Sequence, residues 1–432
     1  MGAKASKNTR SVKATPKPLD PAACKDCKTP YPTAEHWCKV CNGRRFATQF
    51  KEWTSGNEDI DTFIQETQNS ATEPGRILEW IAYEKFEDVE KIGRGGFGTV
   101  YRAKWKDGYI SDWDPVRKQW DRAGATTVVL KSLDNSEDIS SGFLKELRAY
   151  VSLEKHRTSK SKSSTEISED AERHILPCYG FTKHPTSRNF MLVVEYATDG
   201  NLRDYLHVNY DSTPWRYRLS ILWTLAEGLR IIHNNNLVHR DFHSGNVLQQ
   251  GLYSRIADVG LARLPNGASL PSNAGPLGVM PYLAPEILRH GSYSKAGDIF
   301  AYGIIMWEIS SGQQPHSDVA HDRELALQIC AGSRPPIIPG TPECYVELME
   351  KCWDVDPAKR PTAEQLLLIM GQWDINVIRA AEEFRRKTLL FQKEPAHLSM
   401  NIHPDAVYVS RLLPNISSYT DKDIAVKKQR SK

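Results

Sequence analysis

The sequence predicts an α+β protein of two lobes, the first built mainly of strands and the second mainly of helices. Residues 86–130 carry short runs rich in β-branched residues, such as Thr127-Val128-Val129-Leu130, which are typical of strands. After Tyr210, apolar residues recur at helical spacing, for example between Leu219 and Leu229. Strands first and helices later indicate an α+β arrangement with separate lobes.

The N-terminal part of the chain divides into three segments. Residues 1–20 are basic and rich in Ser, Thr and Pro, and we expect a disordered tail. Residues 21–45 contain a compact cysteine module. Residues 46–85 form a linker in which the apolar spacing predicts short helices, one around Ile60-Phe63-Ile64 and one around Ile77-Trp80-Ile81.

Residues 86–370 form the main domain, and residues 371–432 form a C-terminal tail. Two insertions interrupt the strand-rich lobe. The first, Trp105 to Gly124, carries three tryptophans and is broken by Asp, Gly and Pro, so it predicts an elaborated hairpin. The second, about His156 to Glu172, is polar and predicts a mobile surface loop. The tail begins with a predicted helix from Ile375 to about Phe391 and continues as irregular sequence.

Composition narrows the function classes. The 432 residues are 40% hydrophobic and carry a net charge of +3, so the core is ample and we expect no nucleic-acid partner. No apolar run approaches the length of a membrane span, and no apolar segment follows the basic N-terminus as in a secretory signal. We therefore expect a cytoplasmic protein whose cysteines are reduced.

A glycine-rich motif runs from Ile92 to Val100, with Gly93, Gly95 and Gly98 in the order G-x-G-x-x-G. Glycines let backbone N–H groups approach phosphate oxygens where a Cβ would clash. A dinucleotide site requires a helix directly after the glycines. Here Thr99-Val100-Tyr101 predicts a strand, which favours a glycine-rich flap over a nucleotide.

Lys131 ends an apolar strand, a position at which a solvent-exposed lysine is the usual interpretation. An amphipathic helix containing Glu146 follows. If that helix packs inward, the Glu146 carboxylate can hold the Lys131 ammonium over the α- and β-phosphates of a nucleotide.

Three polar side chains further along the chain predict phosphoryl-transfer chemistry. Asp241 and Asn246 lie five positions apart in a polar loop, and Asp258 follows a short predicted strand, Ser254 to Ala257. Asp241 can accept a hydroxyl proton, while Asn246 and Asp258 offer the oxygen ligands that Mg²⁺ prefers. Any one of these residues could simply cap a turn, but their order and spacing together indicate a catalytic site.

Residues 86–370 resemble a eukaryotic protein kinase domain, which has a small β-rich lobe and a larger helical lobe. The matching motifs are the glycine-rich loop, Lys131, His239-Arg240-Asp241, Asp258-Val259-Gly260, Ala284-Pro285-Glu286, Asp298 and the late segment Cys352 to Pro361. The Cys-Trp-x-x-Asp-Pro form resembles tyrosine kinases and tyrosine-kinase-like kinases. The N-terminal cysteine module is similar to that of an expanded fungal group of the latter.

The resemblance implies ATP and Mg²⁺ as cofactors, protein substrates, and a role in signal transduction. It implies that Lys131 grips the phosphates, Glu146 holds Lys131, Asp241 is the catalytic base, and Asn246 and Asp258 hold magnesium. It also implies that nucleotide-binding residues line the cleft, with Val194 as gatekeeper and backbone groups of Glu195 and Ala197 binding adenine. The remaining residues of that set are Ile92, Gly93, Gly95, Gly98, Val100, Val129 and Leu248.

Several positions depart from the kinase pattern. His243 stands where serine/threonine kinases usually carry a lysine, and it could act either as a partly charged, pH-sensitive substitute or as a neutral hydrogen-bond donor. Val259 replaces the usual Phe of the metal-binding triplet, and Val279 replaces a Thr that contacts the catalytic Asp. Every charged catalytic position is filled, so an active kinase is predicted. Serine/threonine acceptors are favoured over tyrosine, and an ATP-binding pseudokinase that acts as a scaffold is the alternative.

Cys24, Cys27, Cys38 and Cys41 form two C-x-x-C pairs. Such pairs wrap a tetrahedral Zn²⁺ with four thiolates, and here they predict a small ribbon stapled by metal. Free cysteines in a disordered tail are the alternative. The N-terminus fits an N-myristoylation pattern at Gly2, and nearby lysines could add electrostatic attraction to the inner membrane surface.

Overall fold

A six-stranded sheet forms the first lobe of the computed structural model, in the order β1-β7-β8-β6-β3-β2. All neighbouring strands are antiparallel except β1, which is parallel to β7. The strands of this sheet are β1 (Glu79–Trp80), β2 (Phe86–Gly95), β3 (Gly98–Trp105), β6 (Thr126–Ser132), β7 (Cys178–Lys183) and β8 (Phe190–Glu195). The structure describes residues 23–31, 37–96, 98–134, 136, 144, 147–148, 153, 174–251, 253–259, 275–391 and 402–419.

Helices build most of the second lobe, as the sequence predicts. They are α3 (Leu202–Asn209), α4 (Trp215–Asn234), α5 (Pro285–His290), α6 (Lys295–Ser311), α7 (Arg323–Cys330), α8 (Glu343–Cys352), α9 (Ala363–Met370) and α10 (Ile375–Phe391). Every residue of α6 from Gly297 to Ser311 is buried, as expected for a helix that is apolar on all sides. The predicted α+β fold with two lobes is confirmed.

Three two-stranded sheets complete the described part of the chain: β9 (Val247–Gln250) with β10 (Tyr253–Ile256), β11 (Leu277–Gly278) with β12 (Arg411–Leu412), and β4 (Ile110–Asp114) with β5 (Gln119–Arg122). The last pair confirms the predicted hairpin in the tryptophan-rich insertion. Short 3₁₀ turns occur at Pro74–Arg76, Tyr83–Lys85, Tyr210–Ser212, Ser244–Asn246, Met280–Tyr282 and Pro357–Lys359.

The tryptophan hairpin packs against the N-terminal segment. Trp120 stacks on Phe46 with ring centroids 4.2 Å apart, and its indole nitrogen donates to Gln49 at 3.1 Å. Phe46 and Gln49 belong to α1 (Lys39–Gln49), which packs on α2 (Glu58–Ser70). The insertion therefore serves as a docking surface for the cysteine module and its helices.

The predicted helix around Ile60-Phe63-Ile64 is confirmed as α2, but the one around Ile77-Trp80-Ile81 is wrong. Glu79–Trp80 is strand β1, which pairs with Gly180 and Phe181, and the Ile81 amide donates to the Phe181 carbonyl at 2.8 Å. Ile77 and Leu78 are adjacent in the sequence and both are buried, which is not the spacing of one helix face. The segment that follows them obtains its backbone hydrogen bonds from the distant strand β7. The predicted loop at His156 to Glu172 lies outside the described residues. No helix in the described part of the chain is both long enough and apolar enough to cross a membrane.

Candidate active site

The loop that carries Asp241 is fixed by hydrogen bonds to one buried carboxylate, that of Asp298. Asp298, near the start of α6, accepts the backbone N–H of His239 at 2.8 Å and that of Arg240 at 3.2 Å. Arg240 has a φ of +72°, a left-handed conformation that a non-glycine residue adopts only when its surroundings hold it there. Asp298 therefore fixes the strained turn that directs Asp241 into the cleft.

His239 joins this loop to the segment that carries Asp258. Its Nε2–H donates to the Ala257 carbonyl at 2.9 Å, and its Nδ1 accepts the Asp241 amide at 3.3 Å. Burial lowers the pKa of His239, which agrees with a neutral ring that donates at one nitrogen and accepts at the other. The neighbouring Ala257 amide donates to the Asn246 carbonyl at 2.8 Å, so the two loops share a hydrogen-bond network.

Asp241 is positioned by Asn246, for which the sequence predicted only a role in holding magnesium. The Asn246 amide nitrogen donates to the Asp241 carbonyl at 2.9 Å and approaches its carboxylate at 3.4 Å. Burial alone raises the pKa of the Asp241 carboxyl, but the His243 imidazole and a hydroxyl contact outweigh that effect and hold its pKa at about 2. Asp241 is therefore ionised at neutral pH and can accept a proton.

The His243 ring is oriented by its own loop. Its Nδ1 accepts the Gly245 amide at 3.1 Å, so its proton sits on Nε2, which lies 3.6 Å from the Asp241 carboxylate. This geometry aims an N–H at the Asp241 carboxylate. A ring nitrogen that accepts a hydrogen bond carries no proton, so this arrangement matches the neutral hydrogen-bond donor of the two roles that the sequence leaves open.

Lys131 and Asp258 contact each other directly. The Lys131 ammonium donates to the Asp258 carboxylate, and both side chains are largely buried. Asp258 has a φ of +61°, a second left-handed residue in the same cleft. Glu146, the predicted partner of Lys131, lies outside the described residues.

The glycine-rich motif forms the turn between β2 and β3, and Val100 continues as a strand. Gly98 has a φ of +155°, and a Cβ at this position would lie 2.1 Å from the Ser132 carbonyl oxygen. Only glycine fits there. The strand after the motif excludes a dinucleotide fingerprint, which requires a helix at that place.

The apolar residues that the resemblance assigns to nucleotide binding are mostly only partly buried. Along β6, Val128 and Leu130 are fully buried while Val129 between them is only partly buried, and it pairs across the sheet with Val194. Ile92 is 48% exposed. Val100 and Leu248 are also only partly buried. Partly exposed apolar residues on these strands leave a surface suited to a planar base.

Glu195 and Ala197, whose backbone groups are expected to bind adenine, lie at the end of β8 and just after it. Glu195 ends β8, and its amide donates to the Pro177 carbonyl at 3.1 Å. Its carboxylate pairs with Arg255. The Ala197 carbonyl accepts the Gly200 amide at 3.4 Å, so both residues lie in the connection between the lobes.

An ion pair fixes the far end of the segment after Asp258. The Arg360 guanidinium, fully shielded from solvent, donates to both carboxylate oxygens of Glu286 at 2.7 and 2.8 Å. It also donates to the carbonyls of Ala296 and Asp354. Arg360 and Glu286 both lie in motifs that match the kinase pattern, and the ion pair joins these motifs. The substituted Val259 and Val279 are both buried.

Sequence reasoning missed one residue in the cleft. Ser410, in the tail described above as irregular, donates its hydroxyl to the Asp241 carboxylate at 2.5 Å. The two residues are 169 positions apart, and no motif surrounds Ser410. Only the folded chain brings this hydroxyl to the catalytic loop.

The four cysteines of the N-terminal module converge. Their sulfurs all lie within 4.8 Å of one another, with Cys27 and Cys38 at 3.5 Å and Cys24 and Cys41 at 3.8 Å. Cys38 caps α1 by accepting the Cys41 amide, so the second C-x-x-C pair opens a helix and the predicted ribbon is wrong there. A hydrogen bond to Thr29 lowers the pKa of Cys27 to about 6, while burial raises the pKa of Cys38 and Cys41.

Comparison with known proteins agrees with this geometry. A serine/threonine-protein kinase/receptor of Acanthamoeba polyphaga mimivirus is 27% identical over 320 residues, covering 73% of this chain and 17% of that protein. A serine/threonine-protein kinase of Dictyostelium discoideum is 26% identical and covers 69% of this chain and 20% of its own length. Mitogen-activated protein kinase kinase kinase 7 of Homo sapiens is 28% identical, covering 69% and 43%.

The chain thus spans about a fifth of the first two relatives and under half of the third. The profile described as protein tyrosine and serine/threonine kinase matches residues 86–370, which carry every part of the cleft except the tail serine. This chain belongs to the protein tyrosine and serine/threonine kinase family.

Proposed function

We propose that this chain is an active protein kinase that transfers the γ-phosphoryl group of Mg-ATP to serine or threonine hydroxyls of proteins, in intracellular signalling. One observation carries the proposal: Lys131 contacts Asp258, Asn246 contacts Asp241, and backbone hydrogen bonds join the two pairs in one cleft. The glycine-rich turn lies beside the same groups, because Gly96 is close to Ser410, and we propose that the apolar residues of the adjoining strands receive the adenine base.

Each polar group has a role that follows from its chemistry. Lys131 is placed to neutralise nucleotide phosphates, and Asp241 is placed to take the proton of an acceptor hydroxyl. Asn246 and Asp258 present oxygen atoms, which fit Mg²⁺, and the bound ion would neutralise phosphate charge. Glu146 remains a sequence prediction as the partner of Lys131.

Serine or threonine acceptors are favoured by the reach of the cleft. The Ser410 hydroxyl, one bond from its Cβ, reaches the Asp241 carboxylate, so a peptide backbone in the place of residue 410 would bring a serine or threonine hydroxyl to that carboxylate. A tyrosine hydroxyl stands several ångströms farther from its backbone. Phosphoamino-acid analysis of the autophosphorylated protein tests this preference, and phosphotyrosine as the main product would contradict it.

Two substitutions test the catalytic assignment. Asp241→Asn should lower kcat for a serine/threonine peptide library by about 10²- to 10⁴-fold, the usual contribution of a general base. Lys131→Met should lower it comparably, whereas Lys104→Met, an exposed lysine on β3, should not. Activity equal to the parent in both catalytic variants would instead support a nucleotide-binding pseudokinase that signals by conformation.

His243 is proposed to assist at the transferring phosphoryl group. Its Nε2 lies 3.6 Å from the carboxylate of Asp241, so a phosphoryl group beside that carboxylate would also lie near the imidazole. Replacing His243 with Lys separates the two roles. An altered pH–rate profile supports a pH-sensitive histidine, and an unchanged profile supports a neutral donor.

The finer assignments concern the termini and the subgroup. The four-sulfur cluster fits a structural Zn²⁺, because thiolates at tetrahedral spacing are the usual ligands of that ion. Metal analysis should give one zinc per chain.

We also propose that the chain belongs to the tyrosine-kinase-like group, from the Cys352-Trp353 motif. Attachment to the inner membrane surface through myristoyl-Gly2 is tested by mass spectrometry of the native N-terminus.

A further inference from the structure

The tail segment 402–419 lies along the second lobe and passes through the catalytic cleft. Its upstream half is anchored by Tyr408, whose hydroxyl donates to the Pro315 carbonyl at 2.9 Å. The Tyr408 carbonyl accepts the Arg203 guanidinium at 3.0 Å. His321 accepts the Val407 amide at its Nδ1 at 3.1 Å and donates from Nε2 to the His316 carbonyl. These contacts fix the chain just before Ser410.

The downstream half pairs with the segment that follows Asp258. Arg411 and Leu412 form β12, antiparallel to Leu277–Gly278, and the Leu413 amide donates to the Pro276 carbonyl at 2.9 Å. Gly275 accommodates this approach, because a Cβ there would lie 2.1 Å from the Leu413 carbonyl oxygen. Main-chain pairing of this kind is how an added strand is recognised at a sheet edge.

Two apolar side chains secure this half. Leu413 is 4% exposed and Ile416 is 1% exposed, and both belong to the main hydrophobic core. The anchors on each side leave Ser410 between them at a defined position.

Ser410 lies between the catalytic loop and the glycine-rich turn. Its hydroxyl donates to Asp241 at 2.5 Å, and a Cβ built on Gly96 would lie 2.8 Å from the Ser410 Cβ. The Asp241 carboxylate also contacts the Asn246 amide. This is the position that an acceptor hydroxyl must occupy for Asp241 to take its proton.

We infer that segment 402–419 is an intramolecular substrate strand and that Ser410 is a site of phosphorylation by its own chain. The inference rests on the proposed kinase activity and assigns its first acceptor. In the reaction, the Ser410 Oγ–Pγ bond forms while the bond between Pγ and the β,γ-bridging oxygen of ATP breaks. The hydroxyl proton passes to Asp241, and ADP leaves with the electron pair of the broken bond.

The test uses the full chain, freed of phosphate by a phosphatase and then incubated with Mg-ATP. Site mapping by tandem mass spectrometry should find phosphate on Ser410. Because the acceptor is already in the cleft, the rate constant should stay the same over a 100-fold range of protein concentration. Ser410→Ala should abolish this labelling, whereas Ser417→Ala, an exposed serine of the same segment, should leave it unchanged.

A mixing experiment identifies the chain that is labelled. Asp241→Asn protein added to active protein should stay unlabelled at Ser410, because its own cleft cannot catalyse the transfer. Labelling of the inactive chain, or a rate that rises with concentration, overturns the intramolecular step. A serine/threonine peptide library, run in parallel, separates the two proposals. Labelled peptides with unlabelled Ser410 overturn this inference alone, and no labelling of either overturns the proposed function with it.

Discussion

Docking of the tail in the cleft predicts competition with protein substrates, and Leu413→Ala measures it. Leu413 is 4% exposed and contributes to the core at the docked end of the segment. Truncating a buried leucine to alanine costs at least about 2–3 kcal/mol. Because Leu413 becomes exposed when the segment leaves, most of that cost falls on the docking equilibrium, which should weaken about 30- to 150-fold.

The consequence appears in the KM for an external peptide. A competing docked segment multiplies KM by one plus its docking constant, since only the open fraction binds peptide. Leu413→Ala should therefore lower the peptide KM by about tenfold or more when the docked state dominates, with little change in kcat. Initial rates on phosphatase-treated protein give both constants before the tail is modified.

Leu412→Ala is the matched control, because Leu412 lies on the same strand but is 49% exposed. It removes the same atoms without exposing a buried site, so its KM should equal that of the parent. If Leu413→Ala and Leu412→Ala both keep the parental KM, the segment does not compete for the substrate groove and the reasoning is refuted.

Three further predictions concern the stability of the fold, the binding of metal and the pH dependence of tail docking. Arg360→Leu should destabilise the fold by about 3–5 kcal/mol, because it leaves the Glu286 carboxylate without its ion-pair partner. Denaturant unfolding measures this loss of stability. Adding Glu286→Gln to Arg360→Leu should restore part of the lost stability. Chelation of metal, or Cys41→Ser, should abolish zinc binding and expose the tryptophan hairpin, seen as a red shift in fluorescence. Burial lowers the pKa of His321, so the docked state prefers the neutral ring and docking should weaken as pH falls below about 6.5. The charged groups facing this ring are Arg411 and Arg203, and burial lowers the pKa of the neighbouring His316 to about 4. Hydrogen exchange of the Val407 amide at pH 7.5 and 5.5 measures the effect.

Local patterns predicted much of this molecule. The order and spacing of Asp241, Asn246 and Asp258 indicated that these side chains lie close together. This was predictable because the position of each side chain depends mainly on the loop or strand next to it in the sequence. The tail helix was predicted from Ile375 to about Phe391 and is α10, with the same bounds. The tryptophan insertion was predicted as a hairpin from its turn residues alone.

Two of the failures depend on partners far along the chain, and the third is a local helix cap. Strand β1 owes its conformation to β7, about 100 residues later, whereas the local spacing at Ile77 and Trp80 favoured a helix. The second C-x-x-C pair caps a helix through the Cys38 sulfur, a use of cysteine that its spacing does not distinguish from a ribbon. The described tail segment, 402–419, has no periodicity that predicts its course, and Arg411 and Leu412 are placed by backbone pairing with Gly278 and Leu277.

Phosphorylation of Ser410 would change the charge balance that holds the tail. Asp241, with its pKa at about 2, is ionised at neutral pH, and a phosphoserine adds a charge of about −1.5 to −2 beside it. Two unit charges 4 Å apart repel by about 4 kcal/mol at an effective dielectric of 20, so the repulsion is about 6–8 kcal/mol before nearby cations reduce it. The two buried anchors, Leu413 and Ile416, contribute about 3–6 kcal/mol together. The repulsion is at least comparable to the anchoring, so transfer to Ser410 would favour release of the segment and open the groove to other substrates.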